Sequence, residues 1–216
     1  MLNIVTQLAE GLLISLLIFA TTLIIALPLG LGISFVRMSK NKFLSFLAKV
    51  YISIMRGTPL MLQLMVIFFA PSLIFGFSTT AFYRYVAVII GFGLNYAAYF
   101  AEIYRAGIEA IPVGQYEASA VLGFTKGQTF RRIIFPQVIK RIIPPVTNEV
   151  ITLVKDTSLA YVIAVEEMFT VAKQIVAAKG TIMPFIVAAV FYYLLNALVA
   201  WIMSRIEKKM SYYTIK

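Results

Sequence analysis

Long apolar blocks, separated by short segments that carry the charged residues, dominate this sequence. A helix needs about 20 mainly apolar residues to cross a bilayer, and apolar blocks occupy residues 11–36, 44–75, 83–104, 138–154 and 182–203. The chain is 61% hydrophobic and 13% charged, whereas soluble domains contain about 25% charged residues. The sequence therefore predicts an all-α membrane protein with about five transmembrane helices, folded as one transmembrane domain over residues 1–216.

Two of the blocks carry signals of irregular helix. Residues 44–75 exceed the length of one straight span, and Pro59 both lacks a backbone donor and disfavours helical geometry at Thr58. We predict either a broken helix or a membrane-surface segment followed by a span that begins near Pro59. The block 138–154 is predicted to continue as a re-entrant or extracellular segment over residues 159–165.

The cationic residues predict the orientation of the chain, because cytoplasmic loops of membrane proteins carry the excess of Lys and Arg. Five spans leave residues 107–137 as a long segment on one side and residues 166–181 on the other. The amino terminus is expected outside and the carboxyl terminus inside. Fourteen of the 19 cationic residues then fall on the cytoplasmic side: Arg37, Lys40, Lys42, Lys49, Arg105, Lys126, Arg131, Arg132, Lys140, Arg141, Arg205, Lys208, Lys209 and Lys216.

The composition excludes several classes of function. The chain has no His and no Cys, which removes thiolate nucleophiles, disulfides, zinc fingers and imidazole bases. A net charge of +10 suits nucleic acid only where the cations cluster on a solvated face, whereas here they separate apolar blocks. We expect the cations to face membrane lipid, with no metal, no catalytic residue and no nucleic-acid partner.

Polar residues within the predicted spans form two helical stripes. Ionisable groups at membrane depth are costly and usually face a protein interior or a water-filled cavity. Residues three or four positions apart lie on the same face of a helix. The third span presents Asn95, Tyr99 and Glu102 in this way, and the fourth presents Asn148, Thr152, Lys155 and Asp156.

Two interpretations of these polar residues remain open. Either they line a route for a solute, or they form hydrogen bonds between spans, each worth about 0.6 kcal/mol. Glu102 favours the route, although it could instead pair with Arg105. Lys155 and Asp156 could form a structural ion pair, or Asp156 could contact Arg56.

Further polar residues lie in non-helical or helix-terminal stretches. Thr58, Thr157 and Ser158 could bind a carboxylate with their hydroxyls and free backbone groups, or could cap helices. Arg56 and Gln63 would share a face only if helix continued through Pro59. The predicted pathway residues are Arg56, Thr58, Gln63, Asn95, Tyr99, Glu102, Asp156, Thr157 and Ser158.

The segment 107–137 contains a predicted surface helix. Pro112 suits the first turn of a helix, residues 118–122 favour helix, and Gly123 suits its end. On physical grounds alone, this helix either packs on the bilayer surface or binds a soluble partner.

Four motifs in register resemble a known family. Glu117-Ala118-Ser119, Gly123 and, after nine further residues, IIFP at 133–136 are similar to the cytoplasmic signature of permease subunits of ATP-binding-cassette importers. Ser119 replaces an Ala of that signature, and Phe135 replaces a Leu. The runs MRGTPL at 55–60, FAEIYRAGI at 100–108 and VKDTSL at 154–159 resemble the polar amino acid permeases of the histidine/glutamine/arginine importer branch, which have the type I importer fold.

The resemblance implies a division of labour between chains. In the family, the cytoplasmic loop holds a coupling helix that seats in a groove of the ATPase subunit. The chain lacks the phosphate-binding loop G-x-x-x-x-G-K-[ST], so ATP and Mg²⁺ are expected on that separate subunit and no cofactor on this chain. The resemblance also implies a second permease subunit, identical or different, a substrate-binding protein and an amino acid substrate. The implied ATPase-coupling residues are Gln115, Glu117, Ala118, Ser119, Leu122, Gly123 and Phe124.

Other functions remain open from the sequence. A passive channel or a membrane scaffold would need no energy source, and an intramembrane enzyme would have to use Glu102 or Asp156 without a His base. The same two carboxylates would suit a cationic substrate such as arginine, lysine or histidine. The leading prediction is the permease subunit of an ATP-driven importer for polar amino acids, with a lean toward basic ones, in the prokaryotic cytoplasmic membrane.

Overall fold

The computed structural model of the protein describes residues 2–78 and 80–210, and within them it contains α-helices, one π-helical turn and one 3-10 helix, without a strand. The all-α prediction is therefore confirmed. Lys216, one of the predicted cytoplasmic cations, lies outside the described residues. The π-helical turn covers Phe130–Ile134 and the 3-10 helix Thr157–Ile163. The α-helices are α1 (Leu2–Arg37), α2 (Lys42–Gly57), α3 (Leu60–Phe75), α4 (Ala81–Glu109), α5 (Val113–Val121), α6 (Lys126–Thr129), α7 (Phe135–Asp156), α8 (Met168–Lys179) and α9 (Met183–Met210).

Helices of membrane-spanning length form most of the described chain. By length and apolarity, α1, α4 and α9 each qualify as a span, and α2 with α3 adds a fourth if this bent pair is one span. The predicted fifth span, α7, has 22 residues, about 33 Å at 1.5 Å per residue. It does not qualify by composition, because it contains Lys140, Arg141, Glu149, Lys155 and Asp156.

The centre of the bundle is the pair α1 and α4. Gly93 faces Ile25, and one helical turn or more further along both helices Gly30 lies against Ala97 and Phe100, so the two helices run parallel. A Cβ on Gly30 would lie only 2.8 Å from Phe100 Cβ and 2.9 Å from the Ala97 carbonyl oxygen. This close approach buries α4 and puts the carboxyl ends of α1 and α4 at the same end of the bundle.

The break in the helix that both alternatives place near Pro59 is confirmed. Thr58 and Pro59 have extended backbone conformations between α2 and α3, and the two helices meet at a bend of 108°. Because Pro59 donates no backbone hydrogen bond, helix does not continue through it. Arg56 and Gln63 therefore do not form one continuous helical face.

The segment after α7 packs α8 onto both α1 and α9. The predicted continuation at residues 159–165 is largely 3-10 helix, ending before Ala164 in the left-handed region at φ 56°. Glu167 is fully buried and caps α8, with its carboxylate accepting hydrogen bonds from the Phe169 and Thr170 backbone N–H groups, both at 2.7 Å, and from the Tyr192 hydroxyl at 3.0 Å. Burial raises the pKa of the Glu167 carboxyl above its ordinary value, although these donors oppose the rise.

Candidate functional site

A cavity of about 470 Å³ lies between the end of α2, the second half of α4 and α7. Gly107 allows α4 and α7 to approach closely beside it, because a Cβ there would lie 2.3 Å from Ile142 Cγ2. Apolar side chains and small residues form much of the wall. The polar residues that line it are Arg56, Tyr99, Glu102, Arg141 and Glu149.

A second cavity, of about 380 Å³, lies at the α2–α3 bend. Tyr99 and Glu149 line both cavities, so the two together form one polar path between α4, α7 and the bend. We call this path the central cavity pair. The second cavity is lined by Thr58, Pro59, Leu60, Asn95, Tyr96, Tyr99, Glu149, Thr152, Asp156 and Leu159.

An amide network holds the α2–α3 bend. Gln63 Nε2 donates to the carbonyl oxygens of Met55 (3.0 Å) and Thr58 (3.1 Å), and to Thr58 Oγ1 (2.7 Å). Asn95 Nδ2 donates to the Met55 carbonyl oxygen and to Gln63 Oε1, both at 3.0 Å. These bonds occupy carbonyl groups that the missing helical turn leaves without partners. Gln63 and Asn95 thus form hydrogen bonds between helices, which is one of the two interpretations left open by the sequence. Asn95 also lines the second cavity.

The charged residues of the first cavity differ in how far they are neutralised. The guanidinium of Arg56 lies 5.3 Å from the centre of the Tyr99 ring, within the range of a cation–π contact. Arg105 Nε donates to Glu102 Oε2 at 3.0 Å, and Arg105 also pairs with Glu109. Glu102 therefore lines the cavity as part of an ion pair. Pairing with Arg105 was the alternative to a pathway role that the sequence left open for Glu102.

The polar stripe predicted on α7 is only partly correct. Asp156 Oδ2 accepts a hydrogen bond from the Tyr96 hydroxyl at 2.7 Å, and both residues line the second cavity. Asn148 and Lys155 are exposed on another face of α7 and line neither cavity. The prediction that all four residues share one face is wrong for these two, because each four-residue step rotates the stripe by about 40°, which turns Thr152 and Asp156 away from Asn148 and Lys155.

Two hydroxyls predicted for the pathway lie elsewhere. Thr157 is buried and its Oγ1 donates to the Val154 carbonyl oxygen at 2.8 Å, while Ser158 Oγ donates to the Lys155 carbonyl oxygen at 2.7 Å. Neither residue lines the central cavity pair. Both hydroxyls satisfy the last carbonyl groups of α7, as end-capping requires.

Among the polar residues that line the cavities, sequence reasoning missed Arg141, Tyr96 and Glu149. Glu149 is the most informative of the three. It lines both cavities, and it lies three and seven residues before Thr152 and Asp156, which share the second cavity with it. This spacing was available in the sequence, but the neighbouring Asn148 fits an equally regular series. Only the packing of α7 on α4 decides which of the two series faces inward.

The α5 segment presents an apolar surface beyond the ends of the spans. Val121 and Leu122 are 88% and 73% exposed, and Gln115, Glu117, Ala118 and Gly123 are also exposed. The helix ends as predicted, because Gly123 has φ 78° and the Phe124 N–H donates to the Ser119 carbonyl oxygen at 3.0 Å. Phe124 is half-buried.

Ser119 differs from the other predicted coupling residues. Its side chain is buried, and its Oγ lies 2.9 Å from the carbonyl oxygens of both Gln115 and Tyr116. The hydroxyl that replaces the Ala of the family signature is thus accommodated inside the helix. Ser119 lies on the buried face of α5, whereas the exposed residues form its outer surface.

The site offers solute-binding chemistry. Within residues 2–78 and 80–210, no group of three or more Asp, Glu, His or Cys residues could hold a metal ion. The central cavity pair combines cationic and anionic side chains with aromatic rings and hydroxyls. Such a lining suits a small solute that carries charges of both signs.

Comparison with known proteins identifies the family. Residues 26–212 match the model of the binding-protein-dependent transport system inner membrane component. This chain belongs to that family. It is 38% identical over 202 residues to the arginine transport system permease protein ArtQ of Bacillus subtilis, covering 93% of this chain and 91% of the relative.

Solved structures agree with this membership. The chain superposes on the crystal structure of an amino acid ABC transporter with histidines with a TM-score of 0.88, at 31% identity, covering 97% of this chain and 96% of that one. An inward-facing structure of the MetNI methionine ABC transporter gives a TM-score of 0.73 at 20% identity, covering 96% of both chains, which shows a shared fold. The chain is therefore a multi-pass membrane component of a transport system, and the type I importer fold predicted from its motifs is confirmed.

Proposed function

We propose that this chain is the permease subunit of an ATP-driven importer that carries polar amino acids, with a preference for basic ones. The central cavity pair carries the proposal, because one small space holds groups that bind both ends of an amino acid. Arg56 and Arg141 can receive the α-carboxylate, and Glu149 and Asp156 can receive ammonium or guanidinium groups. The names of ArtQ, an arginine permease, and of a transporter solved with histidines support the preference.

In this proposal some of the residues contact the substrate, and the others hold the structure around it. Tyr99 and Glu149 contact the substrate where the two cavities meet, Arg56 contacts it in the first cavity, and Asp156 contacts it in the second. Glu102 affects the charge of the first cavity, because it lines that cavity while paired with Arg105. Thr58, Gln63 and Asn95 keep the bend open, while Thr157 and Ser158 stabilise the end of α7.

ATP hydrolysis is proposed to reach the pathway through the segment 107–137. The exposed apolar surface around Val121 and Leu122 would dock into a groove of a separate ATPase subunit, which binds ATP and Mg²⁺. Since α5 follows α4 directly, a movement of α5 would displace α4, whose side chains line both cavities. Glu117 and Gln115 would supply polar contacts at the rim of this interface.

The remaining proposals concern assembly and orientation. Residues 1–216 form one domain, paired with a second permease subunit, identical or different, and loaded by an external substrate-binding protein. The amino terminus lies outside and the carboxyl terminus inside. The distribution of the cations supports this orientation, and it puts α5 in the cytoplasm with the ATPase.

The deciding experiment measures docking and transport together. The chain is expressed with its ATPase and binding protein and reconstituted in liposomes, and uptake of radiolabelled arginine, histidine and glutamine is measured with and without ATP. Leu122→Asp and Glu117→Lys are expected to abolish ATP-dependent uptake and co-purification of the ATPase, with the chain still inserted. Leu122→Met is the matched control and should keep both.

Three results would each contradict a part of the proposal. Uptake at the full rate without nucleotide would indicate a passive channel. Unchanged ATPase association in Leu122→Asp and Glu117→Lys would remove the coupling role of α5. Uptake of glutamine in preference to arginine and histidine would leave the importer intact but would overturn the basic preference.

A further inference from the structure

An apolar groove of about 360 Å³ runs along the outside of the bundle between α1 and α2, apart from the central cavity pair. Leu29, Ile33 and Val36 of α1 form one wall, and Leu44 and Leu47 of α2 form the other. These residues recur at helical spacing, so each helix turns an aliphatic stripe into the groove. The groove is lined almost without polar surface, although it is open to its surroundings.

The inner end of the groove is closed by a hydrogen bond. The Tyr51 hydroxyl donates to the Leu94 carbonyl oxygen at 2.6 Å, which ties α2 to α4. Both residues line the groove, and the bond satisfies the polar group that Tyr51 brings to it. An occupant would therefore meet hydrocarbon along the walls and no free donor at this end.

The other end of the groove opens at the connection between α1 and α2, and this connection is strongly cationic. Arg37, Lys40 and Lys42 lie within six residues there, and Lys49 follows on α2, without an acidic residue between them. Lys40 and Lys42 are exposed. Arg37 Nη1 donates to Ser45 Oγ at 3.1 Å, which fixes the guanidinium beside the first turn of α2.

Acidic side chains do not neutralise this cationic cluster. Within the described part of the chain, Arg37, Lys40 and Lys42 take part in no ion pair. Glu102 of α4 lies within electrostatic range of Arg37, but it is paired with Arg105. The mouth of the groove therefore keeps a net positive charge that an anionic ligand can balance.

The dimensions fit one leaflet of a bilayer. Leu29 and Val36 are seven residues apart, which is about 10 Å along a helix. One leaflet contributes about 15 Å of hydrocarbon, half of the bilayer core. A chain in the groove would thus run from the headgroup level, marked by the cations, through much of a single leaflet.

We propose that the groove between α1 and α2 binds one anionic phospholipid, with an acyl chain along the aliphatic walls and the headgroup phosphate on Lys40 and Lys42. Charge complementarity selects an anionic lipid over a zwitterionic one, because basic residues near the headgroups are attracted to an anionic surface. The bound lipid would brace α2 against α1. Since α2 ends at the 108° bend beside the central cavity pair, the lipid would also support the geometry of that path.

The test counts retained lipid by native mass spectrometry. The full-length chain, with any subunits that accompany it, is purified in detergent, stripped of lipid and mixed with dioleoyl phosphatidylglycerol or dioleoyl phosphatidylcholine. We expect one phosphatidylglycerol per chain to be retained, and at least about tenfold less phosphatidylcholine. The double variant Lys40→Gln/Lys42→Gln should lose the preference, whereas the matched variant Lys208→Gln/Lys209→Gln, on exposed cations of α9, should keep it.

A second pair of variants tests the groove. Leu47→Trp fills it with an apolar ring and should abolish retention of phosphatidylglycerol, whereas Leu31→Trp, on an exposed residue of α1 outside the groove, should not. Equal retention of both lipids, or full retention in Leu47→Trp, would overturn the proposal. If the wild type retains no phosphatidylglycerol and Leu47→Trp changes the oligomeric state, a second copy of the chain covers the groove, which also overturns the proposal.

Discussion

At the scale of single residues, position on a helical face decides the function of each polar side chain. Asn148 and Glu149 are adjacent in sequence, yet Asn148 is exposed while Glu149 lines both cavities. Glu102 and Asp156 were expected as the acidic pathway residues, but Glu102 is paired with Arg105 and Asp156 accepts a bond from Tyr96. Glu149 accepts no such bond among the described residues, and of the three cavity carboxylates it is the one without a hydrogen-bond partner, although the positive charge of Arg56 lies within electrostatic range of it.

This difference between the carboxylates yields a prediction for Glu149→Gln. We expect uptake of arginine to fall about tenfold to hundredfold, because a hydrogen bond to a charged group is worth about 1.5–3 kcal/mol and about 1.4 kcal/mol corresponds to one decade. Uptake kinetics in liposomes measure the change. Glu207→Gln on α9 removes the same charge away from the cavities and should leave uptake unchanged. A normal rate in Glu149→Gln would exclude contact with the substrate.

A second residue-scale prediction concerns Glu167 at the start of α8. Burial raises the pKa of its carboxyl above the ordinary 4.5, so the native state holds this proton to a higher pH than the unfolded state. The contribution of Glu167 to stability is therefore largest at low pH and decreases as pH rises from about 4.5 through the native pKa. The Tm of the wild type relative to Glu167→Gln should decrease over this window.

Thermal unfolding in detergent, followed by the fluorescence of Trp201, measures this dependence. Glu10→Gln, which changes an exposed carboxylate of α1, is the matched control and should track the wild type at every pH. A difference between the wild type and Glu167→Gln that is constant with pH, or that grows as pH rises, would contradict the assigned direction of the pKa shift.

At the scale of elements, close helix packing depends on glycines that look alike in the sequence. Gly30 and Gly32 are two residues apart on α1 and therefore point to different sides of the helix. A Cβ on Gly30 would meet Phe100 and the α4 backbone, whereas a Cβ on Gly32 meets no atom within 4 Å. The space around each residue, and not its identity, decides the effect of a substitution.

Gly30→Ala and Gly32→Ala form a matched pair. Gly30→Ala should lower the Tm, because overpacking costs about 1–3 kcal/mol and the main obstacle is backbone that does not yield. Gly32→Ala should leave the Tm unchanged or raise it, since Ala is favoured over Gly in a helix by about 1 kcal/mol. Equal effects of the two substitutions, measured by thermal unfolding, would contradict the close approach of α1 to α4 at Gly30.

The elements could be predicted from the sequence more fully than the site. Apolar length predicted the spans, and the missing donor of Pro59 predicted the break after α2, because both effects are local. The amide network of Gln63 and Asn95 joins residues 32 positions apart, and the burial of Ser119 depends on what packs beneath α5. Such contacts depend on how helices pack, which spacing along one helix does not determine.

At the scale of the whole molecule, α4 and the turn that follows it connect the central cavity pair to the exposed surface of α5. The α4 helix lines the cavities with Tyr99 and Glu102, ends at Glu109 and passes into α5 within four residues. A rigid α4 would carry movement of α5 directly to both cavities. The left-handed turn at Gly123 then fixes the angle at which Leu122 is presented.

This arrangement predicts different consequences for substitutions at the end of α5 and for substitutions in the central cavity pair. Gly123 has φ 78°, a conformation that costs a β-branched residue about 1–3 kcal/mol but that Asn adopts more readily. Gly123→Val should therefore misdirect Leu122 and reduce both ATPase association and uptake, whereas Gly123→Asn should largely retain them. Glu149→Gln should keep ATPase association intact while uptake falls, because the proposed docking surface on α5 does not include the cavity. If Gly123→Val and Gly123→Asn were equally impaired, side-chain bulk and not backbone conformation would be the cause, and the turn would have no role in directing Leu122.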